Sequence, residues 1–344
     1  MKKRFPVLAL LSLALLGFRS IPSLVGWPDY FPEPVYNFEK NPVNASETEL
    51  GRKLFYDPVL SLDSSTSCAS CHSPYNSFAH VDHKLSHGIY DSIGKRNAPA
   101  LFNLAWQPSF MWDGAVNNIE VQPLAPISNH SEMNESIEHV VMKLQRSDVY
   151  PLLFFKAFGD SVITGHNVLM ALAQFQLTLV SKSSKYDSVM DHSATFTAQE
   201  QNGYTLFRKN CSTCHAEPLF STYGFASNGL AVDTFLRDYG RFAVTHNAKD
   251  SFLFKIPSLR NVSYTYPYMH DGRFATLYQV VNYYSDGLRP STYISPPLKN
   301  RLLFSASEKV DLVAFLLTLS DKNFIFNKEF GPPRREKSVV PGKN

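Results

Sequence analysis

The sequence predicts a mainly α-helical chain folded in two halves, and three observations carry that prediction. Apolar residues recur at helical spacing over Ser136 to Leu144, Asn167 to Val180, Ala198 to Phe207 and Ser307 to Leu319. Alternating strand patterns are scarce. The pattern Cys-x-x-Cys-His occurs twice, once in each half of the 344-residue chain, as Cys68-Ala-Ser-Cys71-His72 and Cys211-Ser-Thr-Cys214-His215.

These two runs consume all four cysteines, and each has the spacing of a covalent c-type haem attachment site. Two thiols one helical turn apart add to the two vinyl groups of one porphyrin, and the adjacent imidazole reaches its iron. His72 and His215 are thus the candidate proximal ligands. A structural zinc site competes, but it usually takes four ligands and each run supplies three. A disulfide framework competes too, yet it leaves the histidine after both pairs unexplained. The duplication, together with an export signal, favours two covalently attached haems.

That signal opens the chain. Met1-Lys2-Lys3-Arg4 precedes an apolar stretch from Val7 to Phe18, a basic region followed by a core shorter than a typical membrane span. Residues 1–23 therefore read as a signal peptide. Ser20 and Ser23 are the candidate cleavage positions, and an uncleaved anchor is the alternative. Export to the periplasm fits covalent haem, which bacteria attach outside the cytoplasmic membrane. The formal net charge of +3, without basic blocks interleaved with aromatics, argues against a nucleic-acid partner.

Beyond the leader, about 320 residues remain, enough for two compact domains. The boundaries read as an N-terminal haem domain over 40–185, a C-terminal haem domain over 197–325 and a tail over 326–344. The segment 181–196, rich in Ser, Asp and Lys, is the candidate linker. Thr197-Ala-Gln-Glu200 is a capping-box signature, opening a helix that delivers Cys211 and His215 at its end. The stretch 216–270, rich in Pro, Gly and Tyr, holds too many aromatics to be a solvating segment and reads as loops covering a haem. Pro332-Pro-Arg-Arg-Glu-Lys337 reads as a solvated end.

Further ordered landmarks surround the two motifs: Leu54-Phe-Tyr-Asp-Pro58, Lys95-Arg-Asn-Ala-Pro99 with Leu101-Phe-Asn103, Phe110-Met-Trp-Asp-Gly114, Pro126-Ile127 with Glu132-Met133, Pro257-Ser-Leu-Arg-Asn261, and Pro267-Tyr-Met-His-Asp-Gly272. Together they resemble the bacterial dihaem cytochrome c peroxidase and MauG superfamily over roughly residues 45 to 320. The resemblance implies two cytochrome c-like domains, each binding one c-type haem under long loops. It implies reduction of hydrogen peroxide at the N-terminal haem and an electron relay at the C-terminal haem. The reductant would be a small redox-protein donor or an oxidisable residue of a partner protein, and a homodimer is compatible with the resemblance.

Particular residues inherit roles from it. Where typical peroxidases carry a second histidine ligand on the N-terminal haem, register from Ser86 and Arg96 gives Ile89, which cannot ligate iron. An open axial position accepts peroxide without first losing a ligand, so a high-spin haem needing no reductive activation is expected. His87 is the substitute ligand if its loop shifts, with His80 and His83 weaker candidates. On the second haem, register from His270 through Leu277 and Val281 gives Tyr284 as distal ligand, the position that sets the MauG branch apart. A phenolate favours oxidised iron, a thioether reduced iron. A buried core aromatic is the bland alternative in a chain with 17 tyrosines, and Met269 offers a thioether close by.

Glu132 matches the distal acid–base of the family and Gln122 its orienting amide. Trp112 matches the tryptophan between the haems, and a plain core tryptophan is its alternative. Asn97, with the carbonyls of Thr265 and Pro267, matches a calcium site. The chain departs from many relatives at Ala115 and Val121, where they carry arginine and glutamate; this puts the polar surroundings of the pocket and donor docking in question. The rival function is a dihaem electron carrier without peroxidase turnover, against which the retained Glu132 and Gln122 argue. Haem-based peroxide sensing is a third reading.

Overall fold

The computed structural model describes residues 24–288, 292–300 and 302–333. The expected signal peptide at 1–23 and residues 334–344 of the expected tail lie outside the described residues. The chain is mainly helical. Among the described residues the one ladder of regular strands pairs Phe225–Ala226 with Phe254–Lys255, antiparallel, with Phe225 opposite Lys255.

Each half is built on one crossed helix pair. In the first, Ala45–Tyr56 lies across Gly165–Leu177; in the second, Ala198–Asn210 lies across Ala306–Leu317. Their N-termini are capped by side chains that satisfy otherwise orphaned backbone donors. Asn44 accepts from the N–H of Ser46 and Glu47, while Thr197 with Glu200 and Ser305 with Glu308 form capping boxes. The expected helices at 136–144, 167–180, 198–207 and 307–319 are observed at Ile137–Gln145, Gly165–Leu177, Ala198–Asn210 and Ala306–Leu317. Tyr150–Phe158 and Leu277–Asn282 add helices that periodicity did not reveal.

The two crossings are made by the same device. A Cβ on Gly51 would lie 1.7 Å from the carbonyl oxygen of Ala171, and one on Gly203 would lie 1.9 Å from that of Asp311. Only glycine lets backbone meet backbone this closely. Four residues on, Phe55 meets Phe175 with ring centroids 5.3 Å apart, and Phe207 meets Phe315 at 5.1 Å. A third ring closes each group: Phe78 lies 5.8 Å from Phe55, and Phe220 lies 5.4 Å from Phe207. All six rings are buried. The halves thus repeat one glycine-seated crossing and one phenylalanine trio.

The termini of the described chain tie the halves together. Near the start, Tyr30 donates to Asp187 Oδ1 at 2.6 Å, and Arg260, fully buried, holds the same carboxylate through two hydrogen bonds of 2.9 and 2.7 Å. The Arg260 guanidinium also lies 4.9 Å from the Phe31 ring centre. At the other end, Phe324 and Ile325 enter the core of the first half, and Tyr56 donates to the Phe330 carbonyl at 2.7 Å. Within the segment 181–196, read as a linker, the first part is packed: Lys185–Met190 is helical, and Ser181, Ser184 and Asp187 are buried, while Asp191, His192, Ser193 and Thr195 are exposed. Ser181, Ser184 and Asp187 carry the buried part of this network.

Two predictions follow from these contacts. Gly51→Ala or Gly203→Ala forces one helix pair apart and is expected to cost about 1–3 kcal/mol by urea unfolding. Burial pushes the Asp187 carboxyl up, but hydrogen bonds and charge from Arg260 pull it further down, below the ordinary carboxylate range. A depressed folded value stabilises the fold above the unfolded value of about 3.9, and the benefit is lost as pH falls through the folded value. Asp187→Asn is expected to cost about 3–5 kcal/mol at neutral pH by leaving Arg260 without its counter-charge. It should also flatten the acid side of a stability profile measured between about pH 3 and about pH 7.

Candidate functional site

Both Cys-x-x-Cys-His runs form a single helical turn that ends on the histidine. In the first, Cys68–Cys71 is a one-turn helix and the His72 N–H closes on the Cys68 carbonyl at 3.0 Å. In the second, Cys211 caps the C-terminus of Ala198–Asn210, and the His215 N–H bonds the Cys211 carbonyl at 2.9 Å. The phenylalanine trios then reach the imidazoles. Nδ1 of His72 lies 2.7 Å from the Phe78 carbonyl, and Nδ1 of His215 lies 3.2 Å from that of Phe220 and 3.1 Å from that of Pro257. Ser77 and Phe78 adopt left-handed φ values of 55° and 57°, which turn the first carbonyl back toward its histidine.

A carbonyl on Nδ1 fixes that nitrogen as the N–H and leaves Nε2 as the electron-pair donor, the arrangement that orients a metal-bound imidazole. Burial pushes both histidines down to about 4, so both rings are neutral at neutral pH. It also pushes the thiols of Cys68 and Cys211 up to about 12 and Cys71 to about 11, which keeps them protonated rather than thiolate. The four cysteines are free of disulfides, and among the described residues no group of three or more His, Cys, Asp or Glu side chains is arranged to hold a metal ion. Two thiols and one poised imidazole at each site fit a c-type haem.

Around the first site the structure brings Ile89, Glu132 and the motif together. Ile89 is buried, and its N–H donates to the Glu132 carbonyl at 2.9 Å. Its loop is closed by Ser86 N–H to Arg96 O at 3.0 Å and Gly94 N–H to Ser86 O at 2.8 Å. Burial raises the Glu132 carboxyl above its usual range, opposed by one hydrogen bond of 2.9 Å from Asn129. Glu132 lies close enough to Cys68 and Cys71 for its charge to raise both thiols. Gln122 is half-buried, and its amide points at the Met111 sulfur, 3.7 Å away. His80, His83 and His87 cluster with one another: His83 stacks on His87 at 4.1 Å and lies 5.3 Å from His80. Ala115 and Val121 are both exposed, so neither departure leaves a hole in the buried pocket.

Around the second site Tyr284 sits in a π-helical turn, Tyr283–Gly287, that continues the Leu277–Asn282 helix. Such turns re-aim side chains and recur at functional sites. Burial pushes the Tyr284 phenol up to about 12, and it lies close enough to Cys211 and Cys214 for charge on them to act on it. Lys309 braces the turn from the Ala306–Leu317 helix, donating to Asn282 Oδ1 at 2.8 Å and pairing with Asp286. Met269, at a left-handed φ of 76°, presents its sulfur 3.3 Å from Asn228 Nδ2, which also lies 3.4 Å from the Tyr284 oxygen. Asn228 was not legible as a site residue, since Asn228-Gly229 reads only as a turn.

Trp112 lies on the seam between the halves. Its indole N–H donates to the Asn97 carbonyl at 2.9 Å, and its own carbonyl accepts from the Lys255 N–H at 2.7 Å. Asn97 is buried; its N–H bonds the His270 carbonyl at 2.7 Å and its amide donates to the Lys84 carbonyl at 3.1 Å. Thr265 and Pro267 flank a neighbouring turn joined by the cis Tyr266–Pro267 bond. Arg96 clamps the seam further, holding Asp238 at 2.6 and 2.8 Å and Asp113 at 2.6 Å.

Paired attachment turns, neutral histidines and helix-based halves define a dihaem c-type protein. The sequence profile of the di-haem cytochrome c peroxidase family matches residues 45–195, and that of cytochrome c matches residues 200–320. The methylamine utilization protein MauG of Methylorubrum extorquens is 36% identical over 299 residues, covering 84% of this chain and 82% of that protein. The cytochrome c551 peroxidase of Nitrosomonas europaea is 33% identical, covering 85% of both. The crystal structure of a MauG-like protein associated with microbial copper homeostasis superposes with a TM-score of 0.79 at 30% identity, over 89% of this chain and 98% of that one. The chain belongs to the di-haem cytochrome c peroxidase family and is an oxidoreductase of that type.

Replacing Cys68 and Cys71 together by alanine is expected to remove one covalent haem and leave the Cys211/Cys214 haem attached. Intact-protein mass spectrometry counts them, and a variant retaining both covalent haems would overturn the assignment of the first motif.

Proposed function

We propose that the chain reduces hydrogen peroxide at the site of Cys68, Cys71 and His72, with electrons relayed through the site of Cys211, Cys214, His215 and Tyr284. Cys68, Cys71 and His72 would hold the haem, which would supply redox-active iron for peroxide reduction. The observation that carries this reading is Glu132, a partly buried carboxyl raised above its usual range, close enough to the first pair of attachment thiols for its charge to act on both. Such a group suits proton transfer from one peroxide oxygen to the departing one. Gln122 orients the substrate through its amide, and Ile89 offers no competing ligand. An electron carrier has no use for that acid–base pair.

Trp112 mediates electron movement between the halves, a role supported by its hydrogen bonds to Asn97 on one side of the seam and Lys255 on the other. The reductant is a small redox protein or an oxidisable residue of a partner protein, the second in the manner of the MauG branch. Asn97, with the carbonyls of Thr265 and Pro267, holds calcium at the seam; neutral oxygen donors suit that ion but give it modest affinity. Residues 1–23 direct export to the periplasm.

Glu132→Gln is expected to slow the reaction with peroxide roughly a hundred- to ten-thousand-fold in stopped-flow measurements, with both haems still attached. An unchanged rate removes Glu132 from the mechanism. In the ferric protein, one equivalent of peroxide is expected to abolish a high-spin paramagnetic resonance signal. Two low-spin signals indifferent to peroxide would favour the electron-carrier reading instead.

A further inference from the structure

Two side chains that can ligate iron, the Tyr284 phenol and the Met269 thioether, lie on the same flank of the second site, and a single amide engages both. Asn228 Nδ2 sits 3.3 Å from the Met269 sulfur and 3.4 Å from the Tyr284 oxygen, and an amide nitrogen has two hydrogens to give. The position of this amide is not accidental to the loop. The Tyr283 hydroxyl donates to the Asn228 carbonyl at 3.0 Å, so the two tyrosines of the π-helical turn grip Asn228 by backbone and side chain. Gly229, next in the chain, takes a left-handed φ of 73°, which turns the loop back at this point. Met269 is itself held at a left-handed φ of 76°, a conformation a non-glycine residue keeps only where its surroundings impose it.

We propose that Asn228 selects Tyr284 over Met269 as the distal ligand of the second haem. This rests on the reading of Tyr284 as that ligand. The two hydrogens act in the same direction. One engages a sulfur lone pair and leaves Met269 only the other to present to iron. The other is donated to the phenol oxygen, and a hydrogen bond to an ionised oxygen is among the stronger ones. The amide therefore weakens the competitor and supports the oxygen ligand, and it sets the preference of this haem for the oxidised state without touching the iron. A leucine at position 228 has the same branched heavy-atom skeleton, though a larger one, and neither donor; an aspartate keeps the shape but presents an acceptor to both groups.

The experiment compares the purified dihaem protein with Asn228→Leu, Asn228→Asp, Met269→Leu and Tyr284→Phe, using near-infrared magnetic circular dichroism of the ferric state and redox titration. In the wild type, Tyr284→Phe should abolish the phenolate signature and Met269→Leu should leave it intact. Asn228→Leu should introduce the thioether-to-iron charge-transfer band and shift the tyrosine-to-methionine ratio roughly ten- to hundredfold, the range commanded by a hydrogen bond to a charged group. The second haem should become easier to reduce, and adding Met269→Leu should remove the new band. Asn228→Asp should move the spectrum the same way, and it serves as the test if the leucine variant fails to mature. If Tyr284→Phe changes nothing, the ligand assignment is wrong and the proposal falls with it. If Tyr284→Phe acts but both Asn228 variants keep the wild-type spectrum and potential, the ligand reading stands and the selecting role of Asn228 is overturned.

Discussion

Backbone contact at two glycines is the constraint from which the rest of the structure descends. Gly51 against Ala171 and Gly203 against Asp311 bring each helix pair close enough for phenylalanines four residues further along to meet, edge-on in the first half and tilted in the second. Those rings hold a third, Phe78 or Phe220, and it is the backbone carbonyl of that third residue that takes Nδ1 of His72 or His215. The orientation of each imidazole is thus fixed by a chain of contacts that begins with a missing Cβ. Buried phenylalanine packs at near-crystalline density and transmits small displacements. A shift at the glycine would therefore be felt at the ring nitrogen, at some distance from any chemistry.

The halves share this proximal architecture and part company on the other side. The first half presents a buried isoleucine, locked by its own N–H to the Glu132 carbonyl, beside a carboxyl kept from ionising easily by burial. The second presents two residues with ligating atoms, delivered by a π-helical turn and a left-handed methionine. The same attachment chemistry can consequently support two different tasks. An apolar wall with one proton-transfer group suits a substrate that must come and go, while donor atoms on a braced turn suit a site that changes only its oxidation state. Lys309, buried across the π-turn, belongs to the second design because a turn with five-residue hydrogen-bond spacing is held less firmly by its own backbone.

Much of this was legible in the sequence, for identifiable reasons. The attachment motifs are local, and so are the capping box at Thr197 and the amphipathic periodicity of the four helices that were read. The Tyr150–Phe158 helix was not legible because Tyr-Pro-Leu-Leu-Phe-Phe-Lys-Ala-Phe is apolar nearly all round and so carries no period. The segment 181–196 reads as a linker by composition, and composition gives no sign that its Asp187 holds a buried arginine from far along the chain. Gly51 and Gly203 read individually as weak points in helices; only the partner backbone gives them meaning. The same holds for Asn228, whose significance lies in two side chains more than forty residues away in sequence.

The placement of the two sites relative to one another rests on the seam rather than on the covalent connection. Trp112 is held at its indole N–H and at its carbonyl, by groups from opposite halves, and Asn97 repeats that bridging through the His270 carbonyl. Side chains alone would leave a hinge; bonds made through main-chain atoms do not rotate away. Arg96 between Asp113 and Asp238 adds charge-assisted bonds in a region partly shielded from water, where they are less screened by salt. Lys255 completes the seam, its Nζ donating to Gln107 Oε1 at 2.7 Å and to the Ser109 carbonyl at 2.8 Å. Burial pushes that ammonium down to about 7, so the protein accepts a marginally charged lysine in order to close the junction. A structure that needed the halves to swing would not place such a group there. The separation between the two attachment sites is accordingly a property of the folded seam.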